Sequence, residues 1–231
     1  QTDTASPGWS VADQIGHLTY FDGTATLAIE DPERFHASLE SLLAAGDEME
    51  ALTLYRDLAP TELLAKWRDN RQRLSEAAAT LEDGVRVPWY GPPMSGKSFL
   101  TARLMECWAH GTDVVDAVGG SRPPTDRLRH VAQIGFITRG WTYANRGEEV
   151  PAGDVHVRLT GPAGDTWEFG PADADATVVG PAEHFCQVVT QRRHVDDTDL
   201  VVTGEIAVDW MSKAQAYAGG ATDGPAPRGS H

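Results

Sequence analysis

Glu106-Cys-Trp-Ala-His110 sets a carboxylate and an imidazole four residues apart, a spacing that puts two metal-capable side chains on one face of a helix. His17, in Trp9-Ser-Val-Ala-Asp-Gln-Ile-Gly-His17-Leu18, offers a third such group on another predicted helix. Two imidazoles and one carboxylate around an ion with an open position make a catalytic metal site. A competing signal lies just upstream: Gly91-Pro-Pro-Met-Ser-Gly96-Lys97-Ser98 satisfies the G-x-x-x-x-G-K-[ST] phosphate-loop pattern. The first motif implies Lewis-acid chemistry and the second implies nucleotide binding.

Spacing alone decides little. Eight histidines and 34 acidic residues in 231 positions make about one acid-x-x-x-His pair by chance. The chain has Asp13/His17, Glu106/His110 and Asp126/His130, and each can be a plain i,i+4 ion pair. The helix carrying Glu106 differs in being apolar around most of its circumference, with Arg103, Glu106, His110 and Asp113 along one stripe. That stripe faces either water or a polar cavity between helices, and periodicity does not choose between them. Cys107 points about 100° away from Glu106, toward Leu104, Trp108 and Val114, and reads as a packed thiol rather than a nucleophile.

The phosphate-loop match fails on context. Such a loop cradles phosphate with successive backbone N–H groups between a buried strand and a helix, and Pro92 and Pro93 have none to give. No β/α alternation surrounds it, and Val114-Val-Asp116 lies within a predicted helix rather than ending a strand. The segment reads as a loop turning into the ligand-bearing helix. Trp89, Tyr90 and Met94 then either line the mouth of the metal pocket or anchor the loop.

The elements that must position these groups are helices in the first half. Ser10 and Asp13 form a capping box for a helix from Val11 to about Ile29, and Pro32 opens another reaching Ala45. Further helices are expected over residues 61–81, 98–118 and 125–145. Beyond Gly147 the texture changes to short alternating runs: Val155–Leu159, Thr166–Phe169 and Ala176–Val179 read as a meander, followed by a helix over 181–193, a strand near 200–203 and a helix over 207–218. The fold class is therefore an all-α bundle over residues 1–147 followed by a small α+β domain over 148–220 with an antiparallel sheet. Residues 221–231, rich in Gly, Ala and Pro, are expected to be a disordered tail or cloning residue.

A net charge of −15 argues against a nucleic-acid partner. No apolar run is long enough for a membrane span, no charged-then-apolar leader opens the chain, and the two cysteines read as reduced, buried thiols of a cytoplasmic protein. Oligomeric state is not legible.

Trp9-Ser-Val-x-Asp13-x-x-x-His17-Leu18 together with Arg103-Leu-Met-Glu106-x-Trp-x-His110-Gly-x-Asp113-Val resembles the DinB-like superfamily, specifically its mycothiol-dependent maleylpyruvate isomerase-type branch of actinobacteria. Pro123-Pro-Thr-Asp-Arg-Leu-Arg-His130 and the run from Thr190 to Leu200 resemble a subgroup of predicted metal-binding proteins. The resemblance implies a DinB-like bundle with three ligands, carried over to His17, Glu106 and His110, and a C-terminal domain similar to sterol carrier proteins. Asp113 becomes a partner for a ligand or a fourth ligand, and Asp13 could orient His17. Zinc is the metal implied, while nickel, iron or manganese would accept the same set. Bundles of this type usually have a helix before the one bearing the first histidine, and only nine residues precede Ser10.

The same resemblance implies mycothiol as cosubstrate: a thiol activated at the metal adds to an electron-poor small molecule and leaves again, giving isomerisation or transfer. Arg192, Arg193 and His194 are the candidates for gripping a substrate carboxylate, though an ion-pair set with Asp196, Asp197 and Asp199 would explain them too. Two other expectations stand beside this one: a thiol-independent hydrolase or lyase using metal-bound water, and a non-catalytic metal-containing binding protein.

Overall fold

The computed structural model describes residues 2–45 and 54–229. They divide into two compact units, 1–121 and 122–231. The first is helical. α1 (Val11–Glu30) starts where Ser10 Oγ accepts from the Asp13 N–H while the Asp13 carboxylate accepts from the Ser10 N–H at 2.8 Å, the expected capping box. α2 (Pro32–Ala45) and α3 (Pro60–Ala78) each open with proline, whose missing N–H costs nothing in a first turn. A two-strand ribbon, β1 (Arg86–Val87) with β2 (Met94–Ser95), leads into α4 (Gly96–Ala117).

α1 lies against α2, α3 and α4. Its approach to α3 is close because Gly23 has no side chain: a Cβ there would lie 3.0 Å from Asn70 Nδ2, which donates to the Thr19 carbonyl at 2.8 Å. Ala25, Ala28, Phe35, Leu74, Val87 and Phe99 form an apolar core from four elements and the ribbon. No helix among the described residues is long and apolar enough to cross a membrane.

The second unit is a four-stranded sheet with helices. β3 (Val155–Thr160) and β4 (Thr166–Phe169) form an antiparallel hairpin; β5 (Ala176–Pro181) pairs with β3 in parallel, Val155 opposite Ala176; β6 (Val201–Thr203) closes the order β4-β3-β5-β6 antiparallel to β5. The sheet is thus mixed, not the antiparallel meander expected. Alternation marks a strand but does not name its neighbour. α7 (Ala182–Val189) and α8 (Glu205–Met211) pack against the sheet, with Trp210 fully buried.

The expected 125–145 helix is two, α5 (Leu128–Ile137) and α6 (Arg139–Ala144), broken at Thr138. Both belong to the second unit, so the division falls after Ser121 and not near 147. Packing gives the reason. Gly135 lets α5 lie flush on α7, where a Cβ would come within 2.6 Å of Val189, and Phe136 stacks on Phe169 of β4 at 5.8 Å. Residues 219–228 are also tied down: Asn145 donates to the Gly219 carbonyl, Arg146 pairs with Asp223, and the Arg228 N–H reaches Asp197. Within the described residues the expected disordered tail is therefore ordered against its own unit.

Candidate metal centre

The capping box sets the phase of α1, so that Gln14 and His17 leave its first two turns on one side. The Ser95 hydroxyl, accepting from the Ser98 N–H at 3.2 Å, starts α4 and sets the stripe of Arg103, Glu106, His110 and Asp113. Where α1 and α4 meet, His17 Nε2 lies 3.4 Å from Glu106 Oε2 and His110 Nε2 lies 3.1 Å from the same oxygen. The imidazole rings are 4.3 Å apart between centroids. One ligand atom from each of the three residues falls within 4.8 Å of the others.

The donor set fits a metal. Tetrahedral zinc with bonds of roughly 2.0–2.1 Å has ligand–ligand edges of about 3.3 Å; the two edges to Glu106 are 3.4 and 3.1 Å, and all three ligand atoms lie within 4.8 Å of one another. The outer nitrogen of His110 is already engaged: Nδ1 lies 2.5 Å from Gln14 Oε1, a pure acceptor. With Nδ1 turned to Gln14, His110 presents Nε2 to the Glu106 carboxylate, where an Nε2–H donates in the metal-free chain and a cation replacing that proton would meet the Nε2 lone pair. The His17 Nδ1 is buried and has no hydrogen-bond partner.

Electrostatics favour the metal-competent protonation states. Burial pushes the His17 imidazole down to about 4, against the opposing hydrogen bond to Glu106. Burial alone would raise the Glu106 carboxyl, but hydrogen bonds with His110 and His17 outweigh it and hold the group well below the usual carboxylate range. At neutral pH His17 is therefore neutral and Glu106 ionised, as ligation requires.

The other expected residues divide clearly. Asp13 accepts from Ser10 and from Arg56 Nε at 2.7 Å, so it caps α1 rather than orienting His17. Asp113 Oδ2 is 3.8 Å from His110 Nδ1, beyond hydrogen-bond reach, and the bond goes to Gln14 instead. Trp89, Tyr90 and Met94 pack on the apolar core of the first unit. Trp89 and Tyr90 also meet Phe21, whose ring lies 4.6 Å from His17. Trp9 stacks over His110 at 6.0 Å.

Arg192, Arg193 and His194 lie in the second unit, just past the end of α7. Arg192 donates to the Thr190 carbonyl, Arg193 to the Arg192 carbonyl, and His194 Nδ1 accepts from the Asp196 N–H. The phosphate-loop lookalike runs through the turn before β2, β2 itself and the first residues of α4: the Ser95 hydroxyl occupies the Ser98 N–H and the Gly96 N–H bonds the Val85 carbonyl, so both are already engaged. Cys107 and Cys186 are both free thiols, Cys107 half-buried and Cys186 buried.

Residues 1–115 match the family described as the mycothiol maleylpyruvate isomerase N-terminal domain. Two curated proteins, uncharacterized protein MT0041 of Mycobacterium tuberculosis (strain CDC 1551 / Oshkosh) and uncharacterized protein Rv0036c of Mycobacterium tuberculosis (strain ATCC 25618 / H37Rv), are each 45% identical over 218 residues, covering 94% of this chain and 85% of theirs. The chain belongs to this family. The matched stretch contains α1 and all but the last two residues of α4, and with them all three converging ligand atoms. The family is mycothiol-associated and metal-binding. No solved structure matches the chain.

Proposed function

We propose that this chain is a metal-dependent enzyme in which His17, Glu106 and His110 hold a divalent ion, zinc by donor set, and a thiol such as mycothiol is activated for isomerisation or transfer on an electron-poor small molecule. The observation that carries this reading is the convergence of three ligand atoms within 4.8 Å, with the outer nitrogen of His110 already satisfied. Nickel, iron or manganese would suit the same donors. The ion supplies Lewis acidity that lowers the pKa of a thiol or water sharing its open position.

The chain's own residues do the rest. Gln14 holds His110 in the tautomer whose Nε2 lone pair points inward. Glu106 contributes the negative charge that offsets part of the cation's, and Trp9 and Phe21 wall the imidazoles with apolar rings that limit water. Asp113 is retained as a further partner beside His110. Arg192, Arg193 and His194 are assigned the grip on a substrate carboxylate. The mixed sheet and four α-helices described in the second unit are compatible with a sterol-carrier-like domain.

Elemental analysis of purified wild type beside His17→Ala, Glu106→Ala and His110→Ala tests the site. Wild type should hold about one metal per chain, and each variant should bind it at least ~100-fold more weakly, more than an outer-shell partner is worth. Unchanged metal content in all three variants sinks the assignment. Titrating cobalt-loaded protein with a small thiol tests the chemistry: a sulfur-to-cobalt charge-transfer band is expected. Turnover without any thiol, with no such band, would favour the hydrolase or lyase.

A further inference from the structure

α1 and α4 carry a second polar contact beyond the ligand cluster. Asp22, with no exposed surface, accepts from Arg103 Nη2 at 2.9 Å, and the Arg103 side chain is only 6% exposed. The other Asp22 oxygen lies 3.5 Å from Arg71 Nη1 on α3, so one carboxylate ties α1 to two neighbours. The contacts follow a single antiparallel register. As α1 runs from Gln14 through His17 to Asp22, its partners on α4 run back from His110 through Glu106 to Arg103.

We infer that the Asp22–Arg103 pair is a positioning device that sets the slide of α1 along α4 and so fixes the spacing of His17 against Glu106 and His110. This rests on the metal reading above. The magnitudes make the need plain. One residue of slip along a helix is 1.5 Å, whereas metal–ligand distances tolerate roughly 0.2 Å. The other polar contacts in this register, Gln14–His110 and His17–Glu106, belong to the ligand cluster itself, so Asp22–Arg103 is an α1–α4 contact outside it that can set the slide independently of the metal.

The pair is poorly explained as a source of stability. Arg103 Nε is buried without a hydrogen-bond partner, and Asp22 Oδ2 has only the 3.5 Å approach of the part-exposed Arg71, so desolvation is incompletely offset. Replacing such a pair by apolar residues of similar volume is often neutral or stabilising. A mechanical route to the ligand is also present. The Arg103 guanidinium lies over the Phe21 ring at 5.8 Å, and that ring packs against His17 at 4.6 Å.

The test compares cobalt binding and the visible d–d spectrum of wild type, Asp22→Leu/Arg103→Met and Arg103→Lys, with His110→Ala as the control that removes a ligand. The double variant should unfold cooperatively at or above the wild-type Tm, yet bind cobalt at least tenfold more weakly with a shifted d–d envelope. Arg103→Lys keeps the charge but loses the planar fork, and should weaken binding several-fold. A folded double variant with wild-type affinity and spectrum overturns the inference while leaving the metal site standing. Wild-type binding by Arg103→Lys also overturns it, whether or not the double variant folds, because charge and not geometry would then matter. Failure of wild type itself to bind cobalt removes the metal reading and this inference together.

Discussion

The two clusters of chemically capable residues differ in where their polar atoms are directed. In the second unit, Arg192, Arg193 and His194 bond backbone groups one or two residues away, in a segment that turns sharply at Gln191, whose φ of 57° is the only positive value among described non-glycine residues. In the first unit, His17, Glu106 and His110 come from two helices about ninety residues apart in sequence and bring nitrogen and oxygen atoms to a common point. Local contacts of the first kind are what a tight turn makes for itself. Convergence from distant elements has to be built by the fold, and it leaves acceptors that only a proton or a cation can satisfy.

The largest way to break this contrast uses the buried neutral imidazole. His17 is held at about 4 in the folded chain against an ordinary value near 6.5. The unfolded chain therefore binds the extra proton first as pH falls, and stability is full above about 6.5 and lost progressively down to about 4. For the metal-free protein the whole effect is about 3 kcal/mol. Glu106, held ionised in the folded chain, adds its own loss of stability only as the unfolded carboxyl begins to protonate near its ordinary value of about 4.5, so the His17 slope is read in the upper part of the window, above about 5.5. Urea denaturation of metal-free wild type and His17→Phe at several pH values should show the slope in wild type and its absence in the variant. Equal slopes would mean that His17 is not held neutral by burial.

The next effect sharpens what makes the first cluster special. Gln14 is fully buried, accepts from His110 Nδ1 and donates from Nε2 to Thr4 Oγ1 at 2.9 Å, so its amide is fixed at both ends. Gln14→Ala should weaken metal binding by about 10–100-fold, the range typical of an outer-shell partner, while the three ligands stay in place. Competition with a chromophoric chelator measures it. Wild-type affinity in the variant would show that the tautomer of His110 is set elsewhere.

Gln14 also marks what the sequence hides. Helix starts were legible because their chemistry is local: the Ser10/Asp13 box and Pro32 fix where α1 and α2 begin. The i,i+4 pair on α4 was legible for the same reason. A neutral amide carries no such signal, and that Gln14 rather than Asp113 meets His110 depends on how α1 docks on α4. The parallel pairing of β5 with β3 was equally hidden, since alternation in Ala176–Val179 specifies a buried face and not a partner. The division after Ser121 turned on Gly135, whose missing side chain seats α5 on α7.

The smallest expected effect tests the contrast from the other side. The ligand cluster is assembled from first-unit residues, and the arginines beyond α7 each donate to a nearby backbone carbonyl. Arg192→Ala/Arg193→Ala should therefore leave metal affinity within about twofold of wild type, because neither an inner ligand nor its hydrogen-bonding partner is removed. If these residues grip a substrate carboxylate, the same variant should raise KM for an anionic substrate far more than for its neutral ester, with kcat changing less. A tenfold fall in metal affinity with the fold intact would show that the second cluster is part of the metal centre's support. An equal loss for acid and ester would remove its anion-gripping role.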